Sequence, residues 1–234
     1  MKKLLLAALC LLAVATVLTI SVKMQRRSDP QREVGTIKQH AERARARGEQ
    51  QAVMPRSHIE YAGDGLNLDE ALSHYSLVVA QPIQEKAVIA HPHSISTWYK
   101  LRVIETILPS KAPSCSPCFD SAEPPGELLP LNADEVLVTR SGGELIVDGV
   151  NITMDSDFPP LSKSKKYLFL LSVNPSGVAG IGAGPAGVFS VNDDGSMMPI
   201  IKKSHAINRG MQNRFGNSLN RLRESVEGKI SQKQ

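Results

Sequence analysis

The segment EVLVTRSGGELIVDGV, residues 135–150, contains two short apolar runs, VLV and LIV, on either side of Gly142 and Gly143. Short runs rich in β-branched residues and bounded by turn residues are typical of buried strands. The two glycines supply the positive φ angles that a tight turn requires. The segment therefore predicts a β-hairpin with its turn at these glycines. Because an isolated hairpin is only marginally stable in water, its strands must pair with others.

Strand patterns occur on both sides of this hairpin. The predicted strands are 76–83, 86–90, 95–108, 167–173 and 187–191, with 197–201 as an edge strand. Trp98 and Lys100 alternate with Tyr99 and Leu101, which indicates a strand with one more polar face. No helical pattern of ten residues separates the strands. The sequence therefore predicts a mainly β body, an antiparallel barrel or sandwich, rather than a parallel α/β sheet.

Two helical patterns flank the strands. Residues 66–75, LNLDEALSHY, predict a short helix with Asn67 as its N-cap. After Lys202 the apolar residues take helical spacing, and Asn217 or Ser218 is the predicted cap of a basic amphipathic helix. Its apolar stripe consists of Phe215, Leu219, Leu222, Val226 and Ile230. We expect this helix to lie on the body, with a membrane surface as the alternative.

The N-terminus begins with Lys2 and Lys3, followed by the uncharged residues 4–22, which span about 28 Å as an α-helix. This segment is either an uncleaved transmembrane anchor or a signal peptide cleaved near Ala15. The apolar run continues beyond Ala15, which favours the anchor. A short charged tail before an apolar run is typical of exported proteins, so we expect a single-pass membrane protein with an extracytoplasmic body. The positive-inside rule alone would place the body inside the cell.

The chain divides into four predicted segments. They are a transmembrane anchor or signal peptide at 1–22, a basic helical or disordered stalk at 23–65, a β-domain at 66–201 and a basic C-terminal helical segment at 202–234. Basic residues outnumber acidic ones by 8 to 3 in 23–48 and by 8 to 2 in 202–234, whereas 49–201 carries 9 basic and 18 acidic residues. The acidic body argues against nucleic acid as a partner. The two basic arms either contact anionic lipid or only keep flexible segments soluble.

Cys115 and Cys118 are the most chemically suggestive pair, since two thiols separated by two residues form a small disulfide or half of a zinc site. Their surroundings are rich in Pro and Ser, and no helix is predicted after Cys115 to lower a thiol pKa as in redox enzymes. An exported location favours a disulfide. Inert or free thiols are the first alternative. A Cys2His2 zinc set, which His91 and His93 would complete if the loops met, is less favoured.

The string GAGPAG at 182–187 matches the GxGxxG pattern of dinucleotide-binding proteins. That pattern requires a helix after the glycines, whereas a strand is predicted here, so we interpret the string as a connection between strands and predict no cofactor. Two acidic pairs, Asp155 with Asp157 and Asp193 with Asp194, lie beside turns and are interpreted as turn residues.

The strand order SLVVAQPI, WYKLRVIETI, ELIVDGV, YLFLLS and AGVFSV resembles that of uncharacterised bacterial exported proteins with a netrin-type or oligonucleotide/oligosaccharide-binding (OB) β-barrel. The resemblance covers 66–201 and includes the turn at Asp157. It implies a fold and an exported location, and no catalytic residues. We therefore expect a membrane-anchored module that binds a protein or glycan ligand at the cell envelope. The alternatives are an envelope enzyme using the loops around His91 and Cys115, and a cytoplasm-facing structural protein.

Overall fold

The computed structural model describes residues 35–57, 65–109, 123–201 and 205–231. The chain forms two units, Met1–Thr36 and Ile37–Gln234, and every element named below belongs to the second. The elements are α1 (Ile37–Ala46), β1 (Gln51–Ser57), α2 (Leu68–His74), β2 (Ser76–His91), β3 (Ser94–Leu108), β4 (Glu135–Ser141), β5 (Gly143–Val147), β6 (Val150–Ser156), β7 (Lys166–Val173), β8 (Val178–Ile181), β9 (Val188–Val191), β10 (Met197–Pro199), α3 (Ala206–Phe215) and α4 (Leu219–Ser231), with 3₁₀ turns at Gly126–Leu128 and Gly184–Gly187.

The larger sheet closes on itself. Its strand order is β10-β9-β7-β2-β3-β4-β8, and β8 also pairs with β7, so that β7, β2, β3, β4 and β8 form a ring. Strand β8 is antiparallel to β7 but parallel to β4, with Leu137 opposite Val178. The mainly β prediction is confirmed. The expectation of a wholly antiparallel sheet is wrong, because the short β8, which lies between β7 and β4, runs parallel to β4.

Strands β2 and β3 are the longest strands of the ring and form one antiparallel hairpin. The predicted strands 76–83 and 86–90 are one continuous strand, β2, whose register against β3 shifts between Pro82 and Gln84. Alternate side chains fill the inside of the ring, as the period of two requires. The buried interior residues are Val78, Ala80, Tyr99, Leu101, Val136, Val138, Tyr167, Phe169, Leu171 and Ala179, with Phe158, Leu161 and Val188 packed beside them.

The predicted hairpin at Gly142 and Gly143 is wrong, although both of its strands exist. Strand β4 pairs with β3 and β8, whereas β5 pairs with β6 in a separate sheet. Gly142, at φ 78°, is therefore where the chain leaves one sheet for the other. The true hairpin turn lies at Asp148 and Gly149, which have φ values of 50° and 82°. An Asp-Gly pair with two positive φ angles is the pattern that a two-residue hairpin turn favours.

A smaller sheet, in the order β1-β6-β5, carries α1 on one face. Strand β1 runs parallel to β6, and Ile37, Ala41 and Ala44 of α1 are buried against Met54 and Ile152. These contacts lie within the predicted stalk, residues 23–65. Within the described part of that segment, α1 packs against the small sheet and β1 is one of its strands. The small residues Ala41 and Ala44 allow the helix to approach the sheet closely.

The helices after the N-terminal region follow their sequence patterns. Asn67 caps α2 in a reciprocal capping box with Glu70, as its position predicted. The C-terminal pattern forms two helices rather than one, because Gly216 ends α3 in the left-handed conformation at φ 59°. Phe215, Leu219, Leu222 and Val226 are buried in one cluster with residues of α2, β2 and β7.

Within the described residues, no helix is long and apolar enough to cross a membrane. The predicted anchor at 1–22 and the cysteines at 115 and 118 fall outside those residues. The anchor and the disulfide therefore stay predictions.

Candidate functional site

The candidate site lies on the outer face of strands β2, β3 and β4. Trp98 and Lys100 point away from the ring interior, because Tyr99 and Leu101 fill it. Lys86 lies opposite Trp98 on β2, and Thr139 lies opposite it on β4, so that a cation, an indole and a hydroxyl form one row across the sheet. The sequence analysis placed Trp98 and Lys100 on one face but gave no sign of what covers them.

A segment of the chain covers this face. We call residues 123–134 the cover segment; it contains the 3₁₀ turn Gly126–Leu128. Leu128 is completely buried and packs in one cluster with Trp98 and Leu137, and Val88, Leu131 and Val178 contact the edge of this cluster. The indole of Trp98 is therefore shielded from solvent by a side chain from the loop between β3 and β4, and not by another layer of regular structure.

Polar contacts also hold the cover segment. Lys86 Nζ lies 2.7 Å from Glu127 Oε2, and Gln84 Nε2 donates to the Glu127 carbonyl at 3.5 Å. Lys100 Nζ donates to the Pro130 carbonyl at 3.1 Å. Three neighbouring donors of the sheet thus meet one carboxylate and two backbone carbonyls of the cover segment.

Lys100 and Glu135 form the most enclosed ion pair of this site. Lys100 Nζ lies 3.6 Å from Glu135 Oε2, and the two side chains are 11% and 4% exposed. The Asn132 backbone N–H donates to Glu135 Oε2 at 2.9 Å. This backbone hydrogen bond, assisted by the amide and the ammonium nearby, holds the pKa of Glu135 below its ordinary value despite burial. Glu135 therefore remains a carboxylate at neutral pH and fixes the end of the cover segment.

Two polar atoms of the row remain unsatisfied. Trp98 Nε1 and Thr139 Oγ1 are buried, and neither has a hydrogen-bond partner among the described residues. A buried donor or hydroxyl without a partner costs about 1–3 kcal/mol. Both atoms belong to directly opposed residues of β3 and β4. The covered face therefore carries an indole N–H and a hydroxyl, on paired residues of β3 and β4, that make no hydrogen bond with described residues.

The histidines that were considered as zinc ligands lie at the turn between β2 and β3. The rings of His91 and His93 have centroids 5.7 Å apart, and the Ile37 backbone N–H donates to the Pro92 carbonyl between them at 2.8 Å. No group of three His, Cys, Asp or Glu residues that could hold a metal occurs in the described part of the chain. With Cys115 and Cys118 outside that part, the zinc alternative remains untested.

The glycine string and Asp194 have local structural roles, whereas Asp157 of the other acidic pair forms an ion pair with Arg56 of β1 at 2.6 Å. Gly184–Gly187 is a buried 3₁₀ turn followed directly by β9, so no helix begins at the glycines. A Cβ added at Gly182 would lie 2.5 Å from the ring of Tyr75, which requires glycine there. Asp194 accepts hydrogen bonds from the hydroxyl and the backbone N–H of Ser196, and these bonds lower its pKa.

Arg140 is a buried cation that the sequence did not mark as special. Its Nε donates to Tyr99 Oη at 3.2 Å, and a terminal nitrogen donates to the Ser141 and Phe158 carbonyls, each at 3.0 Å. Tyr99 Oη also accepts from the Leu161 backbone N–H. The guanidinium thus binds β3, β4 and the loop after β6 together, which indicates a structural role.

Comparisons with protein-family models, with curated proteins and with solved structures gave no match.

Proposed function

We propose that this protein is a membrane-anchored, exported binding module without catalytic activity, whose body is a barrel of the OB or netrin type. The closed ring of five strands is the single observation that carries the proposal. A five-stranded barrel that binds its ligand on the outer face of neighbouring strands is characteristic of OB domains. The order of strand motifs in the sequence, which resembles such exported proteins, supports the same assignment.

The ligand face that we propose is the outer face of β2, β3 and β4. It combines an aromatic ring at Trp98, ammonium groups at Lys86 and Lys100 and a hydroxyl at Thr139. Binding surfaces combine aromatic side chains with a few placed polar groups in this way. The acidic balance of the body disfavours nucleic acid, so the ligand is a protein or a glycan of the cell envelope.

Membrane attachment in this proposal depends on residues 1–22, with anionic lipid as a further contact of the N-terminal basic arm. Two arginines of the C-terminal arm already have acidic partners on the body. Arg223 forms two hydrogen bonds with the carboxylate of Glu105, and Arg214 pairs with Asp69. These pairs support assigning the lipid contact to the N-terminal arm.

Cell fractionation with intact-mass measurement of the N-terminus tests the location. We expect the full chain in the membrane fraction with residues 1–22 retained, and the body digested by protease added outside the cytoplasmic membrane. A soluble cytosolic chain would contradict the location, and a mass lacking the N-terminal residues would contradict the anchor. A body protected from external protease would favour the cytoplasm-facing alternative.

A further inference from the structure

We propose that the cover segment is an intramolecular substitute for a ligand, and that the face beneath it binds a peptide that adopts the same 3₁₀ turn and in which a carboxylate residue directly precedes a leucine-like side chain. This inference rests on the proposed binding function and identifies its partner as a protein segment rather than a glycan. The covered face is then a site that opens when such a peptide displaces the cover segment.

The contacts of the cover segment define the chemistry of the peptide. Glu127 supplies a carboxylate to Lys86, and the Glu127 and Pro130 carbonyls accept from Gln84 and Lys100. Leu128, the next residue, supplies the apolar side chain that packs on Trp98. A peptide with the pair Glu-Leu or Asp-Leu in the same 3₁₀ turn would reproduce the contacts of Glu127 and Leu128, whereas adjacent side chains of an extended strand point to opposite faces. The peptide's negative charge would match the Lys86 ammonium, since the Lys100 ammonium is already paired with Glu135.

The cover segment is held by contacts that a competitor can replace. Leu128 is the one side chain of residues 123–134 that is fully buried, and the neighbouring Leu129 is 46% exposed. The side chains of Lys86 and Glu127 are 44% and 65% exposed, so that water screens their attraction. The more enclosed contacts of the segment lie at its C-terminal end, where Lys100 donates to the Pro130 carbonyl and the Asn132 N–H donates to Glu135.

The unsatisfied atoms give a second chain an advantage over the cover segment. Trp98 Nε1 and Thr139 Oγ1 have no hydrogen-bond partner among the residues that the structure describes, the cover segment included. A ligand with an acceptor placed over the indole N–H would gain hydrogen bonds that the cover segment does not make. Such a gain is needed, because a tethered segment competes at a high effective concentration.

Trp98 is the single tryptophan of the chain, so its fluorescence reports on this face alone. The full-length chain in detergent micelles is compared with its Leu128→Ala variant and with Leu129→Ala as the matched control. We expect Leu128→Ala to shift the emission to longer wavelength and to increase quenching by acrylamide. We expect Leu129→Ala to behave as the unmodified chain, and far-ultraviolet circular dichroism checks that both variants remain folded.

A synthetic peptide with the sequence of residues 123–134, EPPGELLPLNAD, then tests binding in trans. Added to the Leu128→Ala protein, it should restore the short-wavelength emission with a saturable dependence on concentration. The same peptide carrying Leu128→Ala should bind at least tenfold more weakly. If the unmodified peptide produces no saturable change, or if Leu128→Ala leaves Trp98 as protected as Leu129→Ala does, the proposal is overturned.

A charge reversal provides a second route that does not depend on a core residue. Lys86→Glu should increase the quenching of Trp98, and adding Glu127→Lys should return it to the value of the unmodified chain. Equal quenching in all three proteins would contradict the role of this pair. These outcomes are independent of fractionation: a correctly exported chain that fails to bind the peptide overturns this inference but not the proposed binding function.

Discussion

Thr97 and Thr139 lie on adjacent strands of the ring, and only the hydroxyl of Thr97 has a hydrogen-bond partner among the described residues. Thr97 Oγ1 donates to the Gly142 carbonyl at 2.7 Å, whereas Thr139 Oγ1 has no hydrogen-bond partner among the described residues. The first hydroxyl fixes the point where the chain changes sheets. The second hydroxyl lies on the covered face, where it makes no hydrogen bond with the cover segment or with any other described residue.

Replacing these residues by valine should therefore have effects of opposite sign. Thr139→Val removes an unsatisfied hydroxyl at nearly constant shape, and should raise the free energy of unfolding by up to about 1 kcal/mol. Thr97→Val leaves the Gly142 carbonyl without its donor, and should lower that free energy by about 1–3 kcal/mol. Urea denaturation of the full chain in detergent measures both. A loss of stability in both variants would show that the Thr139 hydroxyl has a partner after all.

The change of sheets at Gly142 can be tested by adding a single methyl group. A Cβ at Gly142 would lie 2.6 Å from the Met154 carbonyl oxygen, and the φ of 78° is itself unfavourable for alanine. Gly142→Ala should therefore lower the free energy of unfolding by roughly 3 kcal/mol, the sum of backbone strain and a clash. Gly149→Ala is the matched control, since its φ is 82° but no atom lies within 4 Å.

We expect Gly149→Ala to cost only the strain, about 1–2 kcal/mol. Equal losses in the two glycine variants would mean that the chain can shift away from Met154 without cost.

The misplaced hairpin shows what the sequence determines and what it leaves open. The apolar runs around Gly142 and Gly143 correctly predict strands, because burial selects β-branched residues wherever the strands pair. Which strands pair is a property of the whole sheet. Gly142 and Gly143 fit a turn as well as a crossing between sheets, and the Asp148-Gly149 pair carries the stronger signal for a two-residue hairpin turn.

The sequence does not predict the covered site for a similar reason. The alternation around Trp98 showed a polar face, but not that Leu128, thirty residues later, returns to cover the indole. Strand β1 was also missed, since QAVMPRS contains a proline and no clear alternation. Its pairing with β6 depends on contacts far along the chain. Local patterns, such as the N-cap at Asn67, are predictable because the side chain and the backbone N–H that it binds lie three residues apart.

The attachment of α4 to the body should depend on its apolar stripe more than on its ion pair. Leu222 is completely buried, and Leu222→Ala should lower the free energy of unfolding by about 2–5 kcal/mol. Arg223 and Glu105 form a two-point pair whose side chains are about one third exposed, so Arg223→Ala should cost only about 0.5–1 kcal/mol. Thermal unfolding at low and high salt separates the two, because salt should weaken only the effect of Arg223→Ala.

The predicted disulfide between Cys115 and Cys118 can be decided by peptide mapping of protein purified without reductant. We expect one peptide containing both oxidised cysteines. Because the bond closes a very short ring, its stabilising effect should be well below the ~3 kcal/mol expected for a 15-residue loop. Replacing both cysteines by serine should therefore leave the body folded. Free thiols at both positions would refute the bond, and one bound zinc per chain would revive the pairing with His91 and His93.

The last prediction concerns the dependence of stability on pH at Glu135. Its pKa is held below the ordinary value of 4.5, first by the Asn132 backbone N–H and also by Lys100. Between the two pKa values the unfolded chain binds more protons, so this contribution to stability is complete above pH 4.5 and is lost as the pH falls through the folded pKa. Glu135→Gln lacks this titration, and its urea midpoint should fall less steeply than that of the unmodified chain between pH 4.5 and pH 3. Parallel curves for the two proteins would show that Glu135 is not stabilised as a carboxylate in the folded chain.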